Sequence, residues 1–279
     1  MRHPFFAATN GKKRYSRKLG FRRFYEPKKP YKQNYKMTTD KTTWYANWFN
    51  TPFYHILYKD RDYNEAEDFM INLTEYLNMP EHGKIMDLAC GKGRHSVYLN
   101  TLGYNVLGAD LSENSINYAK KFENDTLKFK VHNMCKPYGE TFDAVFNLFT
   151  SFGYFDDEAD NLNTIKAIKA NLNDYGFGVI DFMNTEFIIE NLVPEDVKTV
   201  DGIDFYQKRY VKDGYIIKDI NFTFEGEDFS FQERVRALSL ADFEKLFEDA
   251  GVYLLDVFGD YKLSKFYKKS SERLIMIFK

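Results

Sequence analysis

The run Asp87-Leu-Ala-Cys-Gly91-Lys-Gly93-Arg-His-Ser96 constrains the fold more than any other part of this chain. Residues 84–89 ahead of it read as a short apolar strand. Residues 94–102 behind it read as a helix, capped by Gly103. A strand that passes through two glycines into a helix opens a parallel βαβ unit. The glycines let backbone approach a ligand closely, and the helix start presents unpaired N–H groups to it. The alternation continues, with predicted strands at 104–109, 127–131, 142–148 and 177–183. Between them lie predicted helices at 112–122, N-capped by Ser112, and at 157–172. Phe69, Met70, Leu73, Tyr76 and Leu77 give 64–77 the spacing of an amphipathic helix, stopped by Pro80 and Gly83. This order predicts an α/β fold: a doubly wound, mostly parallel sheet with helices on both faces.

The rhythm breaks at 204–238, where β-prone residues such as Phe205, Tyr210, Ile216, Ile220 and Phe224 alternate between turns at Asp213-Gly214 and Glu225-Gly226. That pattern predicts an antiparallel insertion before the last helix, at 240–250, and two final strands near 253–258 and 273–278.

The net charge of −2 hides an asymmetry. Residues 1–36 hold five Arg and seven Lys against one acid, Glu26, or +11; this leaves −13 for residues 37–279. The basic segment has no periodicity and reads as a disordered arm. Three readings of it stay open. Lys and Arg interleaved with Tyr15, Phe21 and Phe24 suit RNA or another anionic surface. An Arg-rich, acid-poor start also suits a transit peptide. Met37-Thr38-Thr39-Asp40 would equally serve as a natural start, making the arm an artefact. The remainder divides into a helical lid segment at 37–80 and a main domain at 81–279 that contains the insertion.

Hydrophobic residues at 44% and charged residues at 29% exclude wholesale disorder. Cys90 and Cys135 are too few for a disulfide scaffold or a Cys-rich zinc site. No apolar run approaches the roughly 18 residues of a membrane span, and the N-terminus lacks a secretory apolar core. A cytoplasmic location with no membrane partner is therefore expected. Oligomeric state is not legible.

Two acids give the glycine loop its meaning. Asp87, four residues before Gly91, would repel a pyrophosphate and instead suits a ligand with a positive end, such as an amino acid. Asp110 stands at the end of the next predicted strand, about 17 residues past Gly93, where an acid accepts hydrogen bonds from both hydroxyls of a ribose. With these residues the chain resembles the class I S-adenosylmethionine-dependent methyltransferases over roughly residues 50–279. Asp87 to Gly93 is similar to their first motif, with Ala89 in place of its first glycine. Asp110 resembles the ribose-binding acid, with Leu111 beside it. His132-Asn133-Met134 lies where the family contacts adenine, with Asn133 in place of a frequent Asp. The stretch from Phe142 through Asn147 to Phe149 resembles the fourth motif, and that from Leu172 to Asp181 the fifth-strand region.

The resemblance implies a Rossmann-like seven-stranded sheet and S-adenosyl-L-methionine as cofactor. It implies cofactor contacts from Asp87, Ala89, Gly91, Gly93, Asp110, Leu111, Asn133, Met134 and Asn147. It adds Arg61 as a partner for the cofactor carboxylate, with a surface ion pair as the alternative. Cys90 reads as packing under the loop rather than as a nucleophile.

The family fixes the methyl donor and leaves the acceptor open. Asn147-Leu-Phe-Thr150 is not the Asn/Asp-Pro-Pro-Tyr of amino-methylating DNA and protein-glutamine enzymes, and no Pro-Cys dipeptide exists for cytosine-C5 chemistry. Without a His-Glu-x-x-His run or a carboxylate cluster, no metal is expected. A small-molecule acceptor is the leading expectation. The alternatives are an RNA or protein methyltransferase docking through residues 1–36, and a non-catalytic nucleoside-binding protein. An NAD(P) oxidoreductase is disfavoured by Asp87 and by Ser96 in the third-glycine slot. His55 and Tyr154 are the candidate catalytic side chains. Phe152, Tyr154 and Phe155 are candidates for an aromatic wall, and Tyr54 and Tyr58 for a lid. Residues 44–61 should therefore pack over the glycine loop, with Tyr154 facing the same cavity.

Overall fold

The computed structural model describes residues 44–59, 63–155 and 157–279, all within one unit of the chain. The basic arm and Arg61 lie outside the described residues. Helices α1 (Trp44–Phe49), α2 (Pro52–Leu57) and α3 (Tyr63–Tyr76) precede β1 (Lys84–Leu88). Then come α4 (Arg94–Thr101), β2 (Asn105–Asp110), α5 (Glu113–Ala119), β3 (Leu127–Val131), β4 (Phe142–Asn147), α6 (Glu158–Ala170) and β5 (Leu172–Met183). The short α7 (Thr185–Glu190) leads into β6 (Glu195–Val200), β7 (Ile203–Lys212), β8 (Tyr215–Phe224) and β9 (Glu227–Arg236). Helix α8 (Leu240–Ala250), β10 (Leu254–Phe258) and β11 (Arg273–Phe278) follow.

Among the described residues two sheets form. The larger has seven strands in the order β10-β11-β5-β4-β1-β2-β3, parallel from β5 to β3 and antiparallel at β11 and β10. Its central strands are short apolar runs because helices cover both faces, leaving no solvent side for polar residues to occupy. On one face Phe69, Leu99 and Ile116 of α3, α4 and α5 pack on the sheet. On the other, Ile165 of α6 and Phe243 and Phe247 of α8 pack against Phe182 and Phe278. Helix α8 is tightly specified at both ends, by a Ser239/Asp242 capping box and by Gly251 in the left-handed region (φ 67°). The chain reverses direction across the sheet between β1 and β4, so a crevice opens outside the carboxyl ends of these strands.

The second sheet is a four-stranded antiparallel meander, β6-β7-β8-β9. It starts at Glu195, earlier than the predicted 204. Strand β6 is an edge strand whose residues are mostly exposed on both faces, so it shows no apolar alternation to read. Helix α7 escaped the sequence reading because six residues are too few to show a period. The expected helix at 112–122 ends as α5 at Ala119 and tightens into a 3-10 turn over Lys120–Phe122.

One face of the meander is the floor for the N-terminal helices. Trp48, Phe53 and Leu57 are buried against Phe205, Ile220 and Phe222. Two six-residue helices are too short to persist on propensity alone, so this burial is what holds them. Local chemistry sets where α2 begins: the Thr51 hydroxyl accepts from Tyr54 N at 3.1 Å, and Pro52 occupies the first turn. Glu233 of β9 then fastens both helices to the sheet, accepting from Trp48 Nε1 at 2.7 Å and from the Tyr58 hydroxyl at 2.7 Å.

Candidate functional site

Between β1 and α4 the backbone enters the left-handed region at Ala89 (φ 64°), Gly91 (φ 55°) and Gly93 (φ 80°). For Ala89 this costs roughly 1–2 kcal/mol that a glycine would avoid. The two glycines serve different ends. A Cβ on Gly93 would lie 2.4 Å from Phe129 Cε1, and one on Gly108 of β2 would lie 2.5 Å from the same ring. Phe129 of β3 thus fills the space that both glycines leave, locking the loop onto β2 and β3. A Cβ on Gly91 would meet nothing within 4 Å. Gly91 borders open space, and Gly93 is a packing residue.

Asp110 caps β2 at the mouth of this loop. One carboxylate oxygen accepts from Gly91 N at 2.8 Å and the other from Ser112 N at 2.8 Å. Burial pushes its carboxyl pKa up, and the two N–H groups pull it back down. Each oxygen keeps a lone pair for a further donor.

Asp87 lies deeper, at 2% exposure, and accepts from the Ser96 hydroxyl at 2.5 Å. Burial raises its pKa to about 6, despite the Ser96 hydrogen bond. A carboxyl whose folded pKa exceeds its unfolded value stabilises the fold below the unfolded value, near 4, and loses that contribution as pH rises through 6. Asp87→Asn should therefore flatten the pH dependence of stability between pH 4 and 6, a span worth on the order of 3 kcal/mol. Urea unfolding across that range checks this; parallel profiles for the two proteins would refute it.

At the end of β4, Asn147 is fully buried and donates to Leu88 O at 3.2 Å, while its side-chain oxygen has no partner among the described residues. Such an orphaned acceptor beside the β1 carboxyl end suits a bound group that brings its own donor. Met134 lies against it, its sulfur 3.7 Å from Asn147 Nδ2. Leu111 is 49% exposed beside Asp110. Asn133 is exposed, and its side-chain oxygen accepts from Cys135 N at 2.9 Å, the bond of an Asx turn. Cys90 is buried, and burial pushes its thiol pKa well up, as a packing role requires.

The N-terminal helices reach the same end of the large sheet. Asn50 hydrogen-bonds the Ser112 hydroxyl, and the Phe49 ring meets Tyr154 edge-on at 5.5 Å. Tyr154 in turn donates from its hydroxyl to Thr150 O at 2.6 Å. His55 sits in α2 with its ring edge-on to Tyr54 at 5.3 Å. Phe152 departs from expectation: it is fully buried against Phe243 of α8, 5.3 Å away, and belongs to the core. With Gly153 in the left-handed region, the chain turns there, and Phe152 and Tyr154 take different directions.

Several residues that shape this end carried no readable signal. After β4, Phe149 and Thr150 both adopt left-handed φ, 56° and 60°. Asp181 of β5 holds them there, its carboxylate accepting from Phe149 N at 2.8 Å and its backbone carbonyl from Thr150 N at 2.9 Å. Arg273 of β11 donates Nε to Asp181 at 2.8 Å and Nη2 to the Thr150 hydroxyl at 3.0 Å. His95 of α4 stacks on Phe149 at 4.3 Å. His95, Phe149 and Asp181 stood within sequence motifs without these roles being readable there, and Arg273 lies far along the chain from its partners.

Comparison with known proteins follows the same geometry. A family model described as a methyltransferase domain matches residues 85–176, from β1 to the first half of β5. YqeM of Bacillus subtilis (strain 168), whose methyltransferase assignment is itself provisional, is 27% identical over 199 residues, covering 66% of this chain and 79% of that protein. Glycine/sarcosine N-methyltransferase of Aphanothece halophytica is 29% identical over 140 residues, 47% of this chain and 50% of the relative. Among solved structures, an S-adenosylmethionine-dependent methyltransferase of Clostridium acetobutylicum ATCC 824 shares the fold with a TM-score of 0.69 at 22% identity, covering 81% of this chain and 94% of that one.

Proposed function

We propose that this chain, whose residues 85–176 match a methyltransferase-domain model, is a class I S-adenosylmethionine-dependent methyltransferase whose Gly91–Asp110 crevice holds the cofactor, with a small-molecule acceptor entering opposite, under α1 and α2. The observation that carries the proposal is the Asp110 carboxylate, fixed by Gly91 N and Ser112 N at the edge of the open space beside Gly91. There it would accept the ribose hydroxyls. Leu111 and Met134 would flank the base, with Asn133 at its edge. Asn147 offers its free side-chain oxygen to a donor, and Ala89 and Gly93 fix the loop's path. Asp87, through Ser96, supplies negative potential beneath the loop toward a cationic amino-acid end.

Bound there, the cofactor supplies a methyl group on a sulfonium. The chain's own work is alignment and exclusion of water, because an in-line methyl displacement needs a nucleophile held in line more than it needs covalent help. Phe49 and Tyr154 close the acceptor side with aromatic surface, which attracts cationic charge by roughly 0.5–2 kcal/mol. Tyr154 keeps its proton on Thr150 O, so it positions rather than abstracts. The glycine/sarcosine N-methyltransferase named above acts on small amino acids, in keeping with an acceptor of that size.

Asp110→Ala should weaken S-adenosylmethionine binding by ten- to a hundredfold, the loss of a charged acceptor worth about 1.5–3 kcal/mol. Unchanged affinity by calorimetry would remove Asp110 from the site. For the acceptor, incubation with methyl-labelled cofactor and a metabolite extract should place label in the small-molecule fraction. Label in added RNA or protein instead would favour docking through residues 1–36.

A further inference from the structure

Arg273 is the first residue of β11 and lies across from Met183, the last residue of β5, at the edge where the crevice opens. Its guanidinium is tied on two of its three nitrogens. Nε donates to Asp181 Oδ1 at 2.8 Å; Nη2 donates to the Thr150 hydroxyl at 3.0 Å and lies 2.6 Å from the same Asp181 oxygen as an ion pair. Nη1, with two N–H donors, has no partner among the described residues. Burial works against the charge, but the adjacent Asp181 carboxylate outweighs it and holds the group ionised. The Asp181 side chain is wholly enclosed, whereas that of Arg273 remains 19% accessible. Nη1 is not among the buried unpartnered atoms, so its donors reach accessible space while the rest of the fork is committed. Arg273 is oriented by Asp181 and Thr150, with one edge left over.

The surroundings say what that edge faces. Thr150, which Arg273 holds, also receives the Tyr154 hydroxyl on its carbonyl, and Tyr154 carries Phe49 of α1. The Tyr261 ring lies 5.5 Å from the guanidinium carbon, and burial together with Asp181 keeps its hydroxyl protonated. The free donors therefore sit on the β4–β5 side, next to the acceptor wall and apart from the Asp110 side.

We propose that Arg273 is the anion contact of the acceptor, its free Nη1 edge binding a carboxylate or phosphate oxygen of the small molecule to be methylated. A guanidinium edge prefers such oxyanions over neutral acceptors because the hydrogen bond is charge-assisted. The assignment rests on the methyltransferase reading and narrows it to anionic acceptors.

The test uses the full chain saturated with S-adenosylhomocysteine, whose own carboxylate then occupies the cofactor side. Acetate, inorganic phosphate and neutral acetamide are titrated separately by calorimetry. At least one oxyanion should bind, and acetamide at least tenfold more weakly. Acetate alone points to a carboxylate acceptor, phosphate alone to a phosphorylated one, and both to a general oxyanion contact. Arg273→Lys keeps a charge beside Asp181 but loses the fork. It should weaken the oxyanion tenfold or more, with S-adenosylhomocysteine affinity within twofold of the original. The inference is overturned if neither oxyanion binds, if acetamide binds equally well, or if the lysine variant binds like the original. Should that variant fail to fold, the comparison of oxyanion with acetamide on the unaltered protein decides alone. Failure of S-adenosylhomocysteine itself to bind would instead bring down the methyltransferase reading.

Discussion

Arg273→Met should cost about 3–5 kcal/mol of stability, the range for removing one partner of a buried ion pair. The cost arises at Asp181, whose fully enclosed carboxylate also organises the turn after β4 through Phe149 N. Without the guanidinium, burial alone acts on that carboxyl and drives it toward the protonated form. The deficit should therefore be largest at neutral pH and shrink as pH falls. The double variant Asp181→Asn/Arg273→Met should recover part of the loss, because the uncompensated charge is gone while Phe149 N keeps an acceptor. Urea unfolding at pH 7 and pH 5 measures both effects. A loss below 1 kcal/mol, or one indifferent to pH, would mean that the pair does not hold this edge of the sheet together.

Gly91→Val should abolish S-adenosylmethionine binding, by more than a hundredfold, in a protein that still folds. The backbone there is left-handed, so a branched side chain adds strain of roughly 1–3 kcal/mol. Its Cβ would meet nothing within 4 Å, because the space beside Gly91 is open. On the proposed reading that space receives the cofactor, and the valine side chain would occupy it. Gly93→Val is the matching contrast. Its Cβ would start 2.4 Å from the Phe129 ring, so the variant should lose the fold itself. Circular dichroism with calorimetry separates the two. Normal binding by the Gly91 variant would contradict the loop assignment, and a native, stable Gly93 variant would contradict the packing one.

This split between neighbouring glycines marks where sequence reasoning stops. The βαβ rhythm was legible because most of the strands are short apolar runs and residues such as Ser112, Gly103 and Gly83 mark helix ends. The places of Asp87, Gly91 and Asp110 at the ends of β1 and β2 were legible because their spacing ties them to consecutive elements. Gly93 looked equivalent to Gly91, since nothing local reveals that Phe129, 36 residues onward, fills its missing side chain. Ser96 was read only as the residue in the third-glycine slot that disfavours NAD(P), and its role as the hydroxyl partner of Asp87 was not visible. The Asp181–Arg273–Thr150 network joins three separate strands and loops, and no periodicity encodes a contact across 92 residues. Strand β6 and helix α7 were lost for a simpler reason, being too exposed or too short to carry a pattern. Of the expected aromatic wall, Phe152 lies in the core because the chain turns at Gly153, while Tyr154 packs against Phe49.

The central claim is that the crevice between Gly91 and Asp110 is built for S-adenosylmethionine. Calorimetry of the full chain with S-adenosylmethionine, and separately with NADH, tests it most directly. The account predicts one saturable site for S-adenosylmethionine, weakened ten- to a hundredfold by Asp110→Ala, and no measurable heat with NADH. Binding of NADH in preference, or S-adenosylmethionine binding indifferent to Asp110, would contradict it.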